Sequence, residues 1–302
     1  MTQEFYSNGK LLLSGEYAIL DGAEGWAIPT KFGQNLRVTR NTTGILTWKS
    51  IDADGTIWFQ AKFNVADFTP KSTTDEMISS RLVSILKETQ KLQPEFMKTS
   101  GGYAVETELT FPRNWGLGTS STLINNIAQW SKTNPYILLS KTFGGSGYDI
   151  ACAKQDTPIL FKIKNKQPIV RNIDSGLPFS DHVYFVYLNQ KKNSRDAIGE
   201  YKSQDMDKLA LTTTITELTN HLYQATTLTE FERLLNLHEC VISDALKIPT
   251  IKEQLFADYT GSVKSLGGWG GDFIMVTKRE NTLAYFKEKG FTTILPFSEM
   301  IL

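Results

Sequence analysis

The chain has 302 residues, 40% of them hydrophobic, and its 32 Lys plus Arg balance 32 Asp plus Glu. That length allows two domains with sizeable cores, and a net charge of zero carries no basic field that would advertise nucleic acid or an anionic membrane. Two cysteines, Cys152 and Cys240, make neither a CxxC nor a disulfide framework, which fits a reducing compartment.

The opening run MTQEFYSNGKLLLSG carries Glu4 and three consecutive leucines, too short for a signal-peptide core. No apolar run approaches the ~20 residues of a membrane span. The expectation is a soluble, cytoplasmic protein, monomer or homodimer, with no nucleic-acid or membrane partner. EFYSNGKLLLSGEYAILDG reads as two short strands broken at Ser7-Asn8-Gly9 and at Ser14-Gly15. Lys10, Glu16 and Tyr17 stand among its hydrophobics, where an unpaired charge is expensive; a surface hairpin with a solvated lysine is the plainer reading. LRVTR, ILTWKS and TIWFQAKF look like strands of an antiparallel sheet, turning at Gly44 and Asp54-Gly55. From Thr73 to Thr89 the period becomes helical, with Ile78, Leu82, Ile85 and Leu86 as the stripe and Ser and Thr residues ahead as caps.

YAVETELT alternates as a half-buried strand and runs into FPRNWGLGTSSTLINNIAQW, residues 111 to 130. Leu123, Ile124, Ile127 and Trp130 share one helical face, so a helix starts near Thr119, Ser120 and Ser121. Strand, glycine turn (Gly116, Leu117, Gly118) and helix start bring free N–H groups and the positive end of a helix dipole to one point, an anion site best suited to phosphate. The hydroxyls add donors, or a ligand to phosphate-bound Mg²⁺. The alternative is a tight turn with a serine cap and no ligand. KTFGGSGYDIACAK leads through a glycine turn into a small-residue segment, where Asp149 reads either as a helix cap or as a functional carboxylate in poorly hydrated company.

PILFKIK and HVYFVYLN are two further strands, separated by a polar stretch near 166 to 181 that reads as a domain junction. QKKNSRDAI concentrates Lys191, Lys192, Ser194 and Arg195, and such runs are usually solvated. Helical patterns cover about 206 to 225 and 229 to 247. VKSLGGWGGDFIMVT then sets Gly267, Gly268, Gly270 and Gly271 around Trp269 ahead of a strand, and TTILPF is a last strand. His182, His221 and His238 have no metal-ligand spacing, and no GxSxG elbow is present.

Four of these segments, in this order, resemble the GHMP kinases, the superfamily of galactokinase, homoserine kinase, mevalonate kinase and phosphomevalonate kinase. NGKLLLSGEYAIL is similar to the first family motif, PRNWGLGTSST to the P-x-x-x-G-L-G-S-S-A phosphate loop, and KSLGGWGGD to the third motif. GSGYDIA resembles the segment that carries the catalytic aspartate. The resemblance implies an α+β, two-domain fold: a ribosomal-protein-S5-type N-terminal domain, placed at 1–172, and a ferredoxin-like C-terminal domain, placed at 173–302. It implies ATP and Mg²⁺ as cofactors and a small-molecule alcohol or phosphate as acceptor. Pro112, Gly116, Leu117, Gly118, Thr119, Ser120 and Ser121 would hold the nucleotide phosphates, with Ser120 a Mg²⁺ ligand and Gly267, Gly268, Gly270 and Gly271 supporting the nucleotide loops. Asp149 would orient or deprotonate the attacking oxygen, and Lys10 would depress the pKa of that oxygen or neutralise charge in transfer. Glu16, Tyr17, Ser146, Gly147 and Tyr148 would line the acceptor side, with Lys191, Lys192, Ser194 and Arg195 for an acceptor phosphate.

Gly15-Glu16-Tyr17, the Ile-Ala-Cys-Ala after Asp149 and the Gly-Gly-Asp ending at Asp272 resemble the phosphomevalonate kinase branch, with mevalonate kinase as the alternative and a sister decarboxylase further off. Trp269, Leu266, Thr119 and Thr122 depart from the family pattern. Trp269, whose indole would narrow the site, and Leu266 keep open a catalytically silent relative that binds a metabolite or a partner.

Overall fold

The structure, a computed structural model, describes residues 2–98, 101–173, 177–190, 194–269 and 271–302, with residues 194–197 described by backbone alone. Its first element corrects the sequence reading. β1 (Thr2–Ser14) runs unbroken through Ser7-Asn8-Gly9, and the AIL segment is a 3-10 turn (Ala18–Asp21), not a strand. The polar triplet fails to break the strand because Ser7 and Asn8 are buried, and Ser7 has side-chain partners there. β2 (Gly25–Asn41), β3 (Ile45–Ile51), β4 (Ile57–Asn64) and β5 (Pro70–Thr73) follow. α1 (Glu76–Leu92) is capped by Asp75, whose carboxylate accepts the Ile78 N–H. The cap is thus an aspartate and not one of the Ser and Thr residues expected there, of which Thr73 donates to the Asp75 carbonyl. A carboxylate suits this end because it also meets the positive pole of the helix.

β6 (Gly102–Leu109) precedes α2 (Thr119–Ser131), α3 (Pro135–Thr142) and α4 (Tyr148–Ala153). α3 escaped the periodicity, although Asn134 caps it and Pro135 stands at its first position, both local start signals. β3 pairs antiparallel with β4 but parallel with β6, so the sheet is mixed rather than antiparallel. Parallel pairing needs a long return, and the 17 residues of α1 help supply it.

β7 (Ile159–Lys164) and β8 (Gln167–Asn172) form a hairpin, so a strand occupies the first part of the stretch read as a junction. Asn165 and Lys166 both take positive φ, 51° and 61°, the geometry a two-residue hairpin turn requires. β8 ends the strand order, which is where Pro168 is tolerated. β9 (Val183–Tyr187) and α5 (Ser194–Ser203) come next. α6 (Lys208–Gln224) and α7 (Leu228–Leu246) match the two helical patterns. α8 (Ile251–Leu255), β10 (Val263–Ser265), β11 (Phe273–Thr277), α9 (Thr282–Glu288), β12 (Ile294–Pro296) and α10 (Phe297–Met300) complete the chain.

The chain divides into two units. Unit 1 comprises Met1–Gly9, Phe32–Arg113 and Leu117–Lys154; unit 2 comprises Lys10–Lys31, Asn114–Gly116 and Gln155–Leu302. In unit 1 the strand order is β5-β4-β3-β6-β2, and the core joins Trp48, Phe59, Phe63 and Val105 of the strands to Ile85, Ile124, Ile127 and Leu138 of the helices. Each such fully buried side chain contributes about 1.5–3 kcal/mol, so α2 is fixed by packing and not by propensity. In unit 2 an antiparallel sheet of order β10-β11-β9-β12 buries Val186, Val263, Ile274 and Val276 against Phe256 and Phe286, and α6 packs on α7. The α+β class expected from the motifs is the class observed. Among the described residues no helix is long and apolar enough to cross a membrane.

Candidate functional site

In unit 1 the candidate residues expected from the sequence stand at the starts of α2 and α4, which pack on each other. Phe111 and Leu117 are fully buried and pin the segment leading to α2, while Pro112 is exposed. Gly118 is the N-cap residue at φ +98°, a conformation that strains any other side chain. The serine cap offered as an alternative is absent. Ser121 turns its hydroxyl back to the Gly118 carbonyl at 2.8 Å, and Thr122 donates to Gln34 Oε1 at 2.7 Å. The first-turn N–H groups therefore carry no capping side chain, beside the half-buried Thr119 and the exposed Ser120. That end of a helix attracts anions.

Beneath it lies a polar network that sequence reasoning missed. Asn125 and Asn126 are fully buried on α2. Ser7 donates to Asn126 Oδ1 at 2.7 Å and accepts from Asn125 Nδ2 at 2.9 Å, while Asn126 Nδ2 donates to the Gln34 carbonyl at 2.8 Å. The network ties α2 to β1 and β2.

α4 also begins on a left-handed glycine, Gly147, at φ +86°; a Cβ there would meet the Tyr136 ring at 3.1 Å. Ser146 and Tyr148 flank it, both half-buried. Asp149 lies in the first turn of α4 and not at its cap, half-buried, with Oδ1 accepting the Ile150 N–H at 3.0 Å. Burial, and then the negative charge of Asp149, push the Tyr136 hydroxyl up to about 12.

In unit 2, Lys10 Nζ donates to the Gly116 carbonyl at 3.3 Å. Gly116 takes φ +71°, and a Cβ there would fall 2.3 Å from the Asp272 carboxyl; the same carboxyl stands 3.0 Å from a Cβ built on Gly267, itself at φ +76°. Asp272, 6% exposed, is therefore seated against two glycines that no larger residue replaces. Its charge, after burial, raises the pKa of Tyr187, whose hydroxyl donates to the Asn114 carbonyl at 3.2 Å. Gly271 closes a turn by donating to the Gly268 carbonyl at 2.9 Å. Trp269 is 3% exposed: its indole N–H donates to the Pro249 carbonyl at 3.2 Å and its backbone N–H to Tyr17 Oη at 2.8 Å. The indole expected to narrow the site is an anchor inside unit 2, and Leu266 is buried there too.

Glu16 is not solvated either. Its Oε1 accepts from Lys264 Nζ at 2.7 Å, and Lys264 also reaches Glu239 Oε1 at 3.2 Å. His238 Nε2 lies 3.3 Å from Glu16 Oε2 and 3.3 Å from the Gly15 amide nitrogen. Burial, opposed by Lys264, pushes Glu239 up to about 7; burial and the Lys264 charge drive His238 well below the usual imidazole range. The pull of Glu16 and Glu239 outweighs burial at Lys264 and raises it. His238 and Glu239 were missed because histidines were read only for metal spacing. The signal was present: 238 continues the 231, 234, 235 stripe of α7, a buried face. Lys191, Lys192 and Gly270 lie outside the described residues, and Ser194 and Arg195 open α5 with side chains outside them.

The molecule has the GHMP-kinase fold. It is similar to mevalonate kinase of Methanococcus jannaschii, with TM-score 0.69 at 14% identity over 98% of this chain and 97% of that one. It is also similar to a phosphomevalonate kinase of Streptococcus pneumoniae, in complex with phosphomevalonate and AMPPNP, with TM-score 0.68 at 13% identity over 95% of each chain. Galactokinase of Lactococcus lactis, complexed with galactose, gives TM-score 0.69 at 13% identity over 97% of this chain and 92% of that one. No protein-family model matches the sequence, and no curated protein matches it.

Proposed function

We propose that this chain is an ATP- and Mg²⁺-dependent small-molecule kinase that phosphorylates 5-phosphomevalonate, with mevalonate as the alternative acceptor. The observation that carries the reading is the start of α2, where a left-handed glycine leaves the first-turn N–H groups without a side-chain cap beside two hydroxyl residues, on the same unit as Asp149. Full-length likeness to kinases of this fold, one of them with AMPPNP, supports it.

Those N–H groups, with Gly116, Gly118, Thr119 and the backbone of Ser121, would hold phosphate oxygens, and the Ser120 hydroxyl, which is exposed, would ligate Mg²⁺. ATP supplies the transferred phosphoryl group, and Mg²⁺ offsets its charge. Asp149 accepts the acceptor's hydroxyl proton as the new O–P bond forms and the bond from the γ-phosphorus to the bridging oxygen breaks. Lys10 offsets negative charge beside Gly116, and the second glycine turn at 267–271 backs the nucleotide. Ser146, Gly147, Tyr148, Glu16 and Tyr17 set the acceptor side, the last two through the shape they impose; Lys191, Lys192, Ser194 and Arg195 serve the acceptor phosphate.

The test is ADP release with Mg-ATP, comparing 5-phosphomevalonate and mevalonate. Turnover with the first supports the reading, turnover with mevalonate alone moves the protein to the sister activity, and no turnover or nucleotide binding ends the kinase reading. Asp149→Asn should lower kcat at least about a hundredfold with an unchanged melting temperature. Near-normal turnover would remove Asp149 from its role.

A further inference from the structure

Glu16 and Tyr17 are neighbours in the chain, and both hold the segment that leads from Lys264 to Trp269. Glu16 reaches Lys264 at its start, and the Tyr17 hydroxyl accepts the N–H of Trp269, five residues on. Glu239 fixes the same segment from α7, with Oε1 on Lys264 and Oε2 accepting the Ser265 N–H at 3.1 Å. We propose that Lys264 and Tyr17 are positioning residues that lock the Gly15-Glu16-Tyr17 turn to the 264–269 segment, so that the two segments shift only together.

Two observations favour positioning over plain stability. A buried ion cluster is a poor way to gain stability, because desolvation consumes most of the attraction and apolar replacements often serve as well. What four side chains with 0–3% exposure and directional bonds do supply is register. Tyr17 also sits at φ 57°, ψ −48°, a backbone region that persists only where the surroundings impose it. The Trp269 bond imposes it, as does the stack of the Tyr17 ring on Tyr201 at 5.4 Å, with Tyr201 in turn donating to Asp21 Oδ2 at 2.6 Å.

The catalytic consequence rests on the kinase reading; the lock itself does not. Hydrogen–deuterium exchange on the ligand-free full chain tests it with Tyr17→Phe, which removes one oxygen, and Lys264→Met. Amides at 266–271 should exchange about tenfold faster in Tyr17→Phe with β11 unchanged, in Lys264→Met they should accelerate more than β11 does, and the double variant should add nothing beyond the larger single effect. Folded Tyr17→Phe with wild-type exchange at 266–271 would overturn the proposal, as would acceleration spread evenly over unit 2. If Lys264→Met does not fold, Glu239→Gln takes its place, with an expected increase of about threefold at the same amides. In turnover assays, Tyr17→Phe should raise KM for ATP more than it lowers kcat. A wild-type chain that neither binds nor turns over Mg-ATP would end the kinase reading and leave the exchange result standing.

Discussion

Each unit buries a polar cluster behind one of its glycine-bearing segments, and the two clusters have opposite chemistry. Ser7, Gln34, Thr122, Asn125 and Asn126 of unit 1 are neutral and exchange ordinary hydrogen bonds. Glu16, His238, Glu239 and Lys264 of unit 2 are ionisable and nearly solvent-free. A neutral amide that loses its partner costs one desolvated dipole, whereas a buried charge that loses its partner retains most of its solvation penalty. The α2 helix is therefore pinned by a device indifferent to pH, and the Gly15–Tyr17 and Lys264–Trp269 segments by one that responds to it.

The largest effect that would break this contrast is a single deletion in each cluster. Lys264→Met strands two carboxyl groups and should lower the unfolding free energy by about 3–5 kcal/mol. Adding Glu16→Gln and Glu239→Gln should restore much of it, because no charge is then left buried. Asn126→Ala removes the acceptor of the Ser7 hydroxyl and a side-chain donor to the Gln34 carbonyl and should cost about 1–3 kcal/mol. Denaturant unfolding measures all three. Equal losses for Lys264→Met and Asn126→Ala would show that charge plays no special part.

The pH dependence sharpens the same contrast. Glu239 ionises near 4.5 when unfolded and near 7 when folded, so its contribution to stability falls as pH rises from about 4.5 to 7 and is level above that. His238 acts the other way: its folded pKa is depressed, so stability is lost as pH falls below 6.5. Glu239→Gln removes only the first effect. The variant's stability relative to wild type should climb between pH 4.5 and 7 and then hold, while the loss for Asn126→Ala should stay constant across that window. A flat Glu239→Gln difference would mean that Glu239 titrates normally.

How much was legible follows from which forces are local. The helices at α1, α2, α6 and α7 were readable because an apolar stripe is a short-range pattern, and the glycines at 116, 118 and 147 because a turn must be written where it occurs. β1 was misread at Ser7-Asn8-Gly9 because Ser7 is satisfied by asparagines more than a hundred positions away. Lys264 was read only as the first residue of the third motif, because its partner Glu16 stands 248 residues earlier. Trp269 looked like an obstacle because sequence names a side chain without its direction. What escaped was pairing at long range, which no local period encodes.

The smallest effect concerns the charge that unit 1 does hold beside a half-buried ring. Tyr136 is pushed up to about 12 chiefly by burial and secondarily by Asp149, and its ring packs where a side chain at Gly147 would stand. Asp149→Asn removes the second cause and keeps the first. The Tyr136 pKa should then drop by a fraction of a pH unit and remain well above 10, read by ultraviolet difference titration with Tyr136→Phe to assign the signal. A fall all the way to 10 would mean that the start of α4 had opened and exposed the ring. An unchanged value would mean that the carboxylate turns its field away from it. A variant that has lost turnover and titrates Tyr136 only slightly lower has lost a charge and kept its helix, and that outcome separates a proton acceptor from a structural carboxylate.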